Sequence, residues 1–146
     1  MKLITEEISK VNFITEGKGK GKRLYIEGVF LQGGIKNRNG RMYPVDILEK
    51  ECNRYNKTFI SQGRALGELG HPEGPTVNLD RVSHKITSLV REGNNFRGKA
   101  TLLSTPMGKI ASSLLDEGVK LGVSSRGIGS LRESSNGCKM VGEDFQ

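Results

Sequence analysis

Tryptophan is absent from the 146 residues, and tyrosine and phenylalanine bring aromatics to only 5%. A surface for stacking nucleic-acid bases is therefore poorly provisioned. Cysteine and histidine occur twice each, as Cys52, Cys138, His71 and His84. Their spacing lacks the close ligand pairs of structural zinc sites, so they read as two free thiols with no metal, and no cofactor is called for. No stretch reaches the ~18 continuous apolar residues of a membrane span. The opening Met1-Lys2-Leu3-Ile4-Thr5-Glu6-Glu7 turns acidic too early for a signal peptide. The expectation is a chain that neither crosses a membrane nor is secreted. Acidic residues are outnumbered, 16 against 23 basic ones, which leaves a net charge of +7. That excess suits an acidic partner. Much of it is local, in Gly17-Lys18-Gly19-Lys20-Gly21-Lys22-Arg23, so specific nucleic-acid binding is not expected.

What is present fits one domain rich in turns: 34% apolar residues and 20 glycines, about double the usual share. Residues 1–22 read as a flexible arm, with a loose echo of Leu3-Ile4-Thr5-Glu6 in Phe13-Ile14-Thr15-Glu16 and then the exposed lysine–glycine loop. The domain proper spans 23–146. Arg23 to Gln32 is the first convincing strand. Asn37-Arg38-Asn39-Gly40 is a turn, and Pro44 opens a helix with Leu48, Cys52, Tyr55 and Phe59 at helical spacing, ended by Gly63. Val82–Val90 and Phe96–Leu103 pair across Glu92-Gly93-Asn94-Asn95. Thr105-Pro106 starts a second helix whose buried face would be Ile110, Leu114 and Leu115. A strand begins at Leu121-Gly122-Val123, and Ser134-Ser135-Asn136-Gly137 turns into Cys138–Val141. Short connections make the sheet mainly antiparallel, so the fold class is α+β, a barrel-like sheet with flanking helices.

Two glycine-framed segments could carry chemistry. Ala65-Leu66-Gly67-Glu68-Leu69-Gly70-His71-Pro72 sets a histidine in a tight loop. Leu121-Gly122-Val123-Ser124-Ser125-Arg126-Gly127-Ile128-Gly129-Ser130 sets two serines and an arginine where a strand meets glycine. Nucleophilic catalysis needs a hydroxyl, a base, and backbone N–H groups that hold an oxyanion. Histidine suits the base near neutral pH. Taken alone, the same residues also read as turn chemistry and a surface histidine. Arg126 stands where the second glycine of Gly-x-Ser-x-Gly belongs, which disfavours an α/β-hydrolase elbow.

These two segments, together with Leu24-Tyr25-Ile26-Glu27-Gly28-Val29-Phe30, Asn37-Arg38-Asn39-Gly40-Arg41-Met42-Tyr43-Pro44 and Val77-Asn78-Leu79-Asp80-Arg81-Val82-Ser83-His84, resemble the prohead core protein proteases of T-even-like tailed phages. The resemblance runs in the family's order from about residue 23 to 131. It implies a serine endopeptidase with a fold similar to the herpesvirus capsid-assembly protease. Such an enzyme works in the host cytoplasm inside the immature capsid, cutting scaffold core, capsid proteins and itself. It further implies His71 as general base and Ser124 as nucleophile, with Ser125 as the rival. Arg126 and Gly127 become candidates for shaping the oxyanion pocket, against a bland reading of Arg126 as a salt bridge that fixes the loop.

The resemblance also implies an acidic residue, further along than Gln146, that orients the histidine. On that expectation the sequence is a truncated protease lacking its final strand or strands, and Asp80, His84 and Glu68 are the substitutes within it. The family's preference for cutting after glutamate, with an aliphatic residue two positions before, points to self-cleavage after Glu6 or Glu16. A homo-oligomer is compatible with this reading, and two alternatives remain: an inactive capsid-assembly or scaffold-binding module, and a basic nucleic-acid-binding domain.

Overall fold

The computed structural model describes all residues except 1, 9, 10, 17–22, 71–73, 75, 135 and 136, with only the backbone for 7–8, 11–16 and 23. The expected lysine–glycine loop at 17–22, His71, and part of the turn at 134–137 lie outside the described residues.

Among the described residues, ten strands form three sheets, accompanied by two α-helices. The largest has the order β2 (Val11–Glu16), β3 (Arg23–Gln32), β7 (Asn95–Leu102), β6 (Val82–Glu92), β5 (Leu66–Glu68), all antiparallel. Strands β6 and β7 form the expected hairpin, with Gly93 in the left-handed region (φ 63°) that its tight turn requires. A second sheet pairs β1 (Lys2–Ile8) with β8 (Val123–Gly129), and a third joins β4 (Arg41–Met42), β10 (Lys139–Val141) and β9 (Leu131–Glu133). Among the described residues the sheets do not close into a barrel. Residues 2–8 and 11–16, expected within an arm, are strands paired to β8 and β3, and Ile4 of β1 is buried (2% exposed) in the core.

Helix α1 (Val45–Tyr55) continues through a π-helical turn at Asn56–Ile60. It buries Ile47, Leu48 and Cys52 against Leu89 and Phe96 of the large sheet; Ile4, Tyr43, Val141 and Phe145 complete the cluster. Fully burying residues of this size stabilises by about 1.5–3 kcal/mol each. One core thus joins α1 to all three sheets. Cys52 and Cys138 are both buried and free.

Helix α2 (Pro106–Asp116) is capped by Thr105, whose side chain accepts from the Gly108 N–H at 3.1 Å. Its orientation corrects the expectation. The face against the sheet is Gly108 and Ala111, while Ile110 and Leu114 point outward at 46% and 37% exposure. The reason is the closeness of the helix to the sheet. A Cβ at residue 108 would lie 2.0 Å from the Leu103 carbonyl oxygen and 2.9 Å from that of Ser83, so only small residues fit the seam.

Candidate active site

Ser124 and Arg126 lie on β8, the strand that α2 leads into. Its neighbour β1 sets Glu7 opposite Ser124, Glu6 opposite Ser125 and Thr5 opposite Arg126. Alternation along a strand puts Ser124 and Arg126 on one face and Ser125, Gly127 and Gly129 on the other. The second face belongs to the core. A Cβ at residue 127 would lie 2.6 Å from the Phe145 ring, and Glu6, on the same side as Ser125, accepts hydrogen bonds from Arg41, from Asn39 Nδ2 (2.7 Å) and from the Tyr43 hydroxyl (3.1 Å). Burial and the nearby Glu6 carboxylate push the Tyr43 hydroxyl well above its ordinary pKa. The first face is turned the other way, and Ser124 on it is exposed.

The backbone of β8 is divided in the same alternating manner. Ile128 exchanges both of its backbone bonds with Gln146, at 2.8 and 2.9 Å. Ser124 and Arg126 therefore also direct their N–H and C=O groups away from β1, whereas Ser125 and Gly127 bond to it. Of the two residues expected to shape an oxyanion pocket, Gly127 stands opposite Ile4 and turns its N–H toward β1, and Arg126, opposite Thr5, turns its own away from that ladder.

The chain is held on either side of residues 71–75. On the near side β5 ends at Glu68, and Leu69 is held twice by Arg81: its N–H donates to the Arg81 carbonyl (3.1 Å), and Arg81 Nη2 donates to the Leu69 carbonyl (2.8 Å). The Glu68 side chain is only 4% exposed. It accepts from Arg126 Nη2 at 2.7 Å and from Asn78 Nδ2 at 3.2 Å. On the far side the same Arg126 nitrogen donates to the Thr76 carbonyl at 3.3 Å. Burial alone would raise the Glu68 pKa, but the hydrogen bonds from Arg126 and Asn78 outweigh it and hold the carboxyl below its ordinary value. One guanidinium on the Ser124 strand thus grips the chain on either side of residues 71–75.

The three expected orienting residues have different surroundings. Glu68 is engaged by Arg126 and Asn78. Asp80 is exposed on the 3-10 turn Leu79–Arg81. His84 pairs its Nδ1 with the Ser83 hydroxyl at 2.9 Å and lays its ring on Gly67, where a Cβ would come 1.9 Å from Nε2. Desolvation pushes the His84 pKa down to about 4, so its imidazole is neutral. Glu6 and Glu16 both lie in paired strands. Sequence reasoning missed Arg81, Thr76 and Asn78 as loop supports, and the Asn39–Arg41–Tyr43 group around Glu6. The only signal was the polar run at 37–43, whose partner lies more than thirty residues earlier. No group of three or more metal-ligating side chains occurs among the described residues, and none of their helices is long and apolar enough to cross a membrane.

The chain has known relatives. The family model of the prohead core protein serine proteases matches residues 6–146. The chain belongs to that family. It is 37% identical over 136 residues to the prohead core protein protease of Enterobacteria phage T4, an alignment covering 90% of this chain and 64% of that relative's length. The solved structure of the bacteriophage T4 capsid assembly protease superposes with a TM-score of 0.91 at 33% identity, covering 99% of this chain and 92% of the solved one. As a member of the prohead core protease family, the chain shares its α+β architecture and predominantly antiparallel sheets with that neighbour.

Proposed function

We propose that the chain is a serine endopeptidase of prohead maturation, with Ser124 as nucleophile and His71 as general base. One observation carries the reading: Arg126, on the strand and face of Ser124, holds both stems of the loop that bears His71. The T4 relatives named as proteases support the reaction class.

In this mechanism the Ser124 hydroxyl oxygen attacks the scissile carbonyl carbon while His71 accepts its proton. The carbonyl electron pair moves to oxygen, and the Arg126 N–H, aimed away from β1, donates to the oxyanion. A donor of this kind contributes about 10²–10³ to kcat. Collapse breaks the C–N bond, the proton on His71 passes to the leaving amine, and Ser124 is left as an ester. Water, deprotonated by His71, then releases the new carboxylate and restores the serine. Glu68 positions Arg126 and the loop.

The substrates are scaffold core and capsid proteins and the chain itself, cut after glutamate in aliphatic-x-Glu segments inside the immature capsid in the host cytoplasm. The net charge of +7 favours such acidic partners. As folded, the Glu6–Glu7 bond sits within a paired strand, so self-cleavage there follows detachment of β1.

A fluorophosphonate probe, mapped by mass spectrometry, tests the assignment. The expected result is one adduct on Ser124, absent from Ser124→Ala. An adduct on Ser125 would overturn the nucleophile, and no adduct would favour the inactive assembly module.

A further inference from the structure

Strand β1 is held at two seats. The Ile4 side chain lies buried in one core cluster with Tyr43, Val141 and Phe145. The Glu6 carboxylate, 12% exposed, accepts from Arg41, from Asn39 Nδ2 and from the Tyr43 hydroxyl. Leu3 and Thr5, on the other face of the strand, are exposed. The rest of the hold is main chain: the antiparallel ladder with β8, and the Thr5 carbonyl, which accepts from Arg41 Nη2. Backbone pairing combined with seats for alternate side chains is how the edge of a sheet takes up an extended peptide.

Two further observations make this seat separable from the strand that fills it. First, β1 pairs with β8 alone, while β2, next in sequence, belongs to the five-stranded sheet. Second, the receptor is built without β1. Asn37 Oδ1 accepts from the N–H groups of Asn39 and Arg41, both at 3.0 Å, and the Asn37 N–H donates to the Arg41 carbonyl at 2.9 Å. The Gly40 carbonyl accepts from the Lys139 N–H at 2.9 Å, which ties this turn to β10. The donors to Glu6 therefore stay aimed when the strand leaves, and the Tyr43 hydroxyl and the Arg41 guanidinium then lack the carboxylate that satisfies them. Leaving such groups unpaired is costly, so the empty slot favours another carboxylate. The seats also state its pattern. Ile4 and Glu6 share a face two residues apart, and shifting the charge by one position would turn it to the opposite face.

We propose that the slot along β8 is an exchangeable docking site for an extended acidic segment of a partner protein, one with an aliphatic residue two positions before a glutamate, and that β1 is its resident occupant. The seats lie on the Ser125 side of β8, away from the face of Ser124, so this stands independently of the protease assignment.

Fluorescence anisotropy of a labelled peptide, Lys-Leu-Ile-Thr-Glu-Glu-Ile, tests it against the full chain in a Ser124→Ala background that prevents digestion. In the chain that also carries Ile4→Ser and Glu6→Gln, both seats are emptied while the receptor is intact, and saturable binding is expected. The chain with native β1 should bind at least about ten-fold more weakly, because its own strand competes at a high effective concentration. A peptide with glutamine in place of its first glutamate should lose about ten-fold in affinity, and so should Arg41→Gln in the emptied chain, since each removes a charge-assisted bond. If the double substitution prevents folding, Glu6→Gln alone decides, with tighter peptide binding expected than in the chain with native β1. No binding to a folded emptied chain, equal binding with native β1 in place, or affinity indifferent to the peptide glutamate and to Arg41 overturns the proposal. Fluorophosphonate labelling of Ser124 is a separate measurement, so none of these outcomes bears on the protease reading.

Discussion

The Arg126 guanidinium and the Glu68 carboxylate meet at 2.7 Å across 58 residues of sequence. This contact ties the strand of Ser124 to the end of β5, a few residues before position 71. Glu68→Gln keeps the shape but gives up the charge-assisted bond, and the loop then wanders. Small misplacements of catalytic groups cost about 10²-fold, so kcat should fall by about that factor with KM little changed. Unchanged turnover of a glutamate-containing peptide would show that the bridge is only structural. Because the folded pKa of Glu68 is depressed, its contribution is present above the unfolded value near 4.5 and is lost as pH falls through the folded value. Glu68→Gln should accordingly remove part of the acid limb of the pH–rate profile.

His84 gives a second pH effect, on stability. Its folded pKa is near 4 against an ordinary 6.5, so between those values the unfolded chain binds a proton that the folded chain refuses. Stability is complete above about pH 6.5 and declines on acidification towards pH 4, by on the order of 3 kcal/mol at 1.36 kcal/mol per unit. Thermal melts across that window should show the decline in the wild type and a flatter profile in His84→Gln. Parallel profiles would remove His84 as the cause.

Glu6 is latched by Arg41, Asn39 and Tyr43, and Arg41 also donates to the Thr5 carbonyl at 2.8 Å. Arg41→Gln loosens β1 and should hasten self-cleavage after Glu6, read as loss of residues 1–6 by intact mass. A Ser124→Ala/Arg41→Gln chain should keep its N terminus. Cleavage in that double variant would assign the cut to another protease.

Gly127 lies under Phe145, with a Cβ position 2.6 Å from the ring and 2.8 Å from the Gln146 carbonyl oxygen. Gly127→Ala should destabilise by about 1–3 kcal/mol through overpacking, measured by denaturant unfolding. A variant as stable as the wild type would mean that the Phe145 ring shifts freely.

Much of the fold was legible locally. Apolar runs marked β3 at Arg23–Gln32 and the β6–β7 hairpin, Pro44 and Thr105 marked the helix starts, and the two glycine-framed segments supplied the candidate residues. What was not legible depends on partners distant in sequence. Nothing in Lys2–Ile8 announces pairing with Val123–Gly129, because an edge strand's register is fixed by a sheet formed over a hundred residues later. Periodicity also reported that α2 has an apolar face without saying which face the sheet receives. Backbone proximity at Gly108 decided that, and hydrophobicity did not. The face that Ser124 shares with Arg126 likewise follows from strand parity, and the reach of Arg126 to Glu68 shows where that face is turned.

The His84 ring resting on Gly67 binds the histories of two positions together. Any side chain gained at 67 would need the space that the imidazole fills, and any larger group at 84 would need the hydrogen that stands in for a side chain at 67. Under mutational drift the pair can change only in step, so functional variants recovered from a randomised library should treat residues 67 and 84 as one inherited unit.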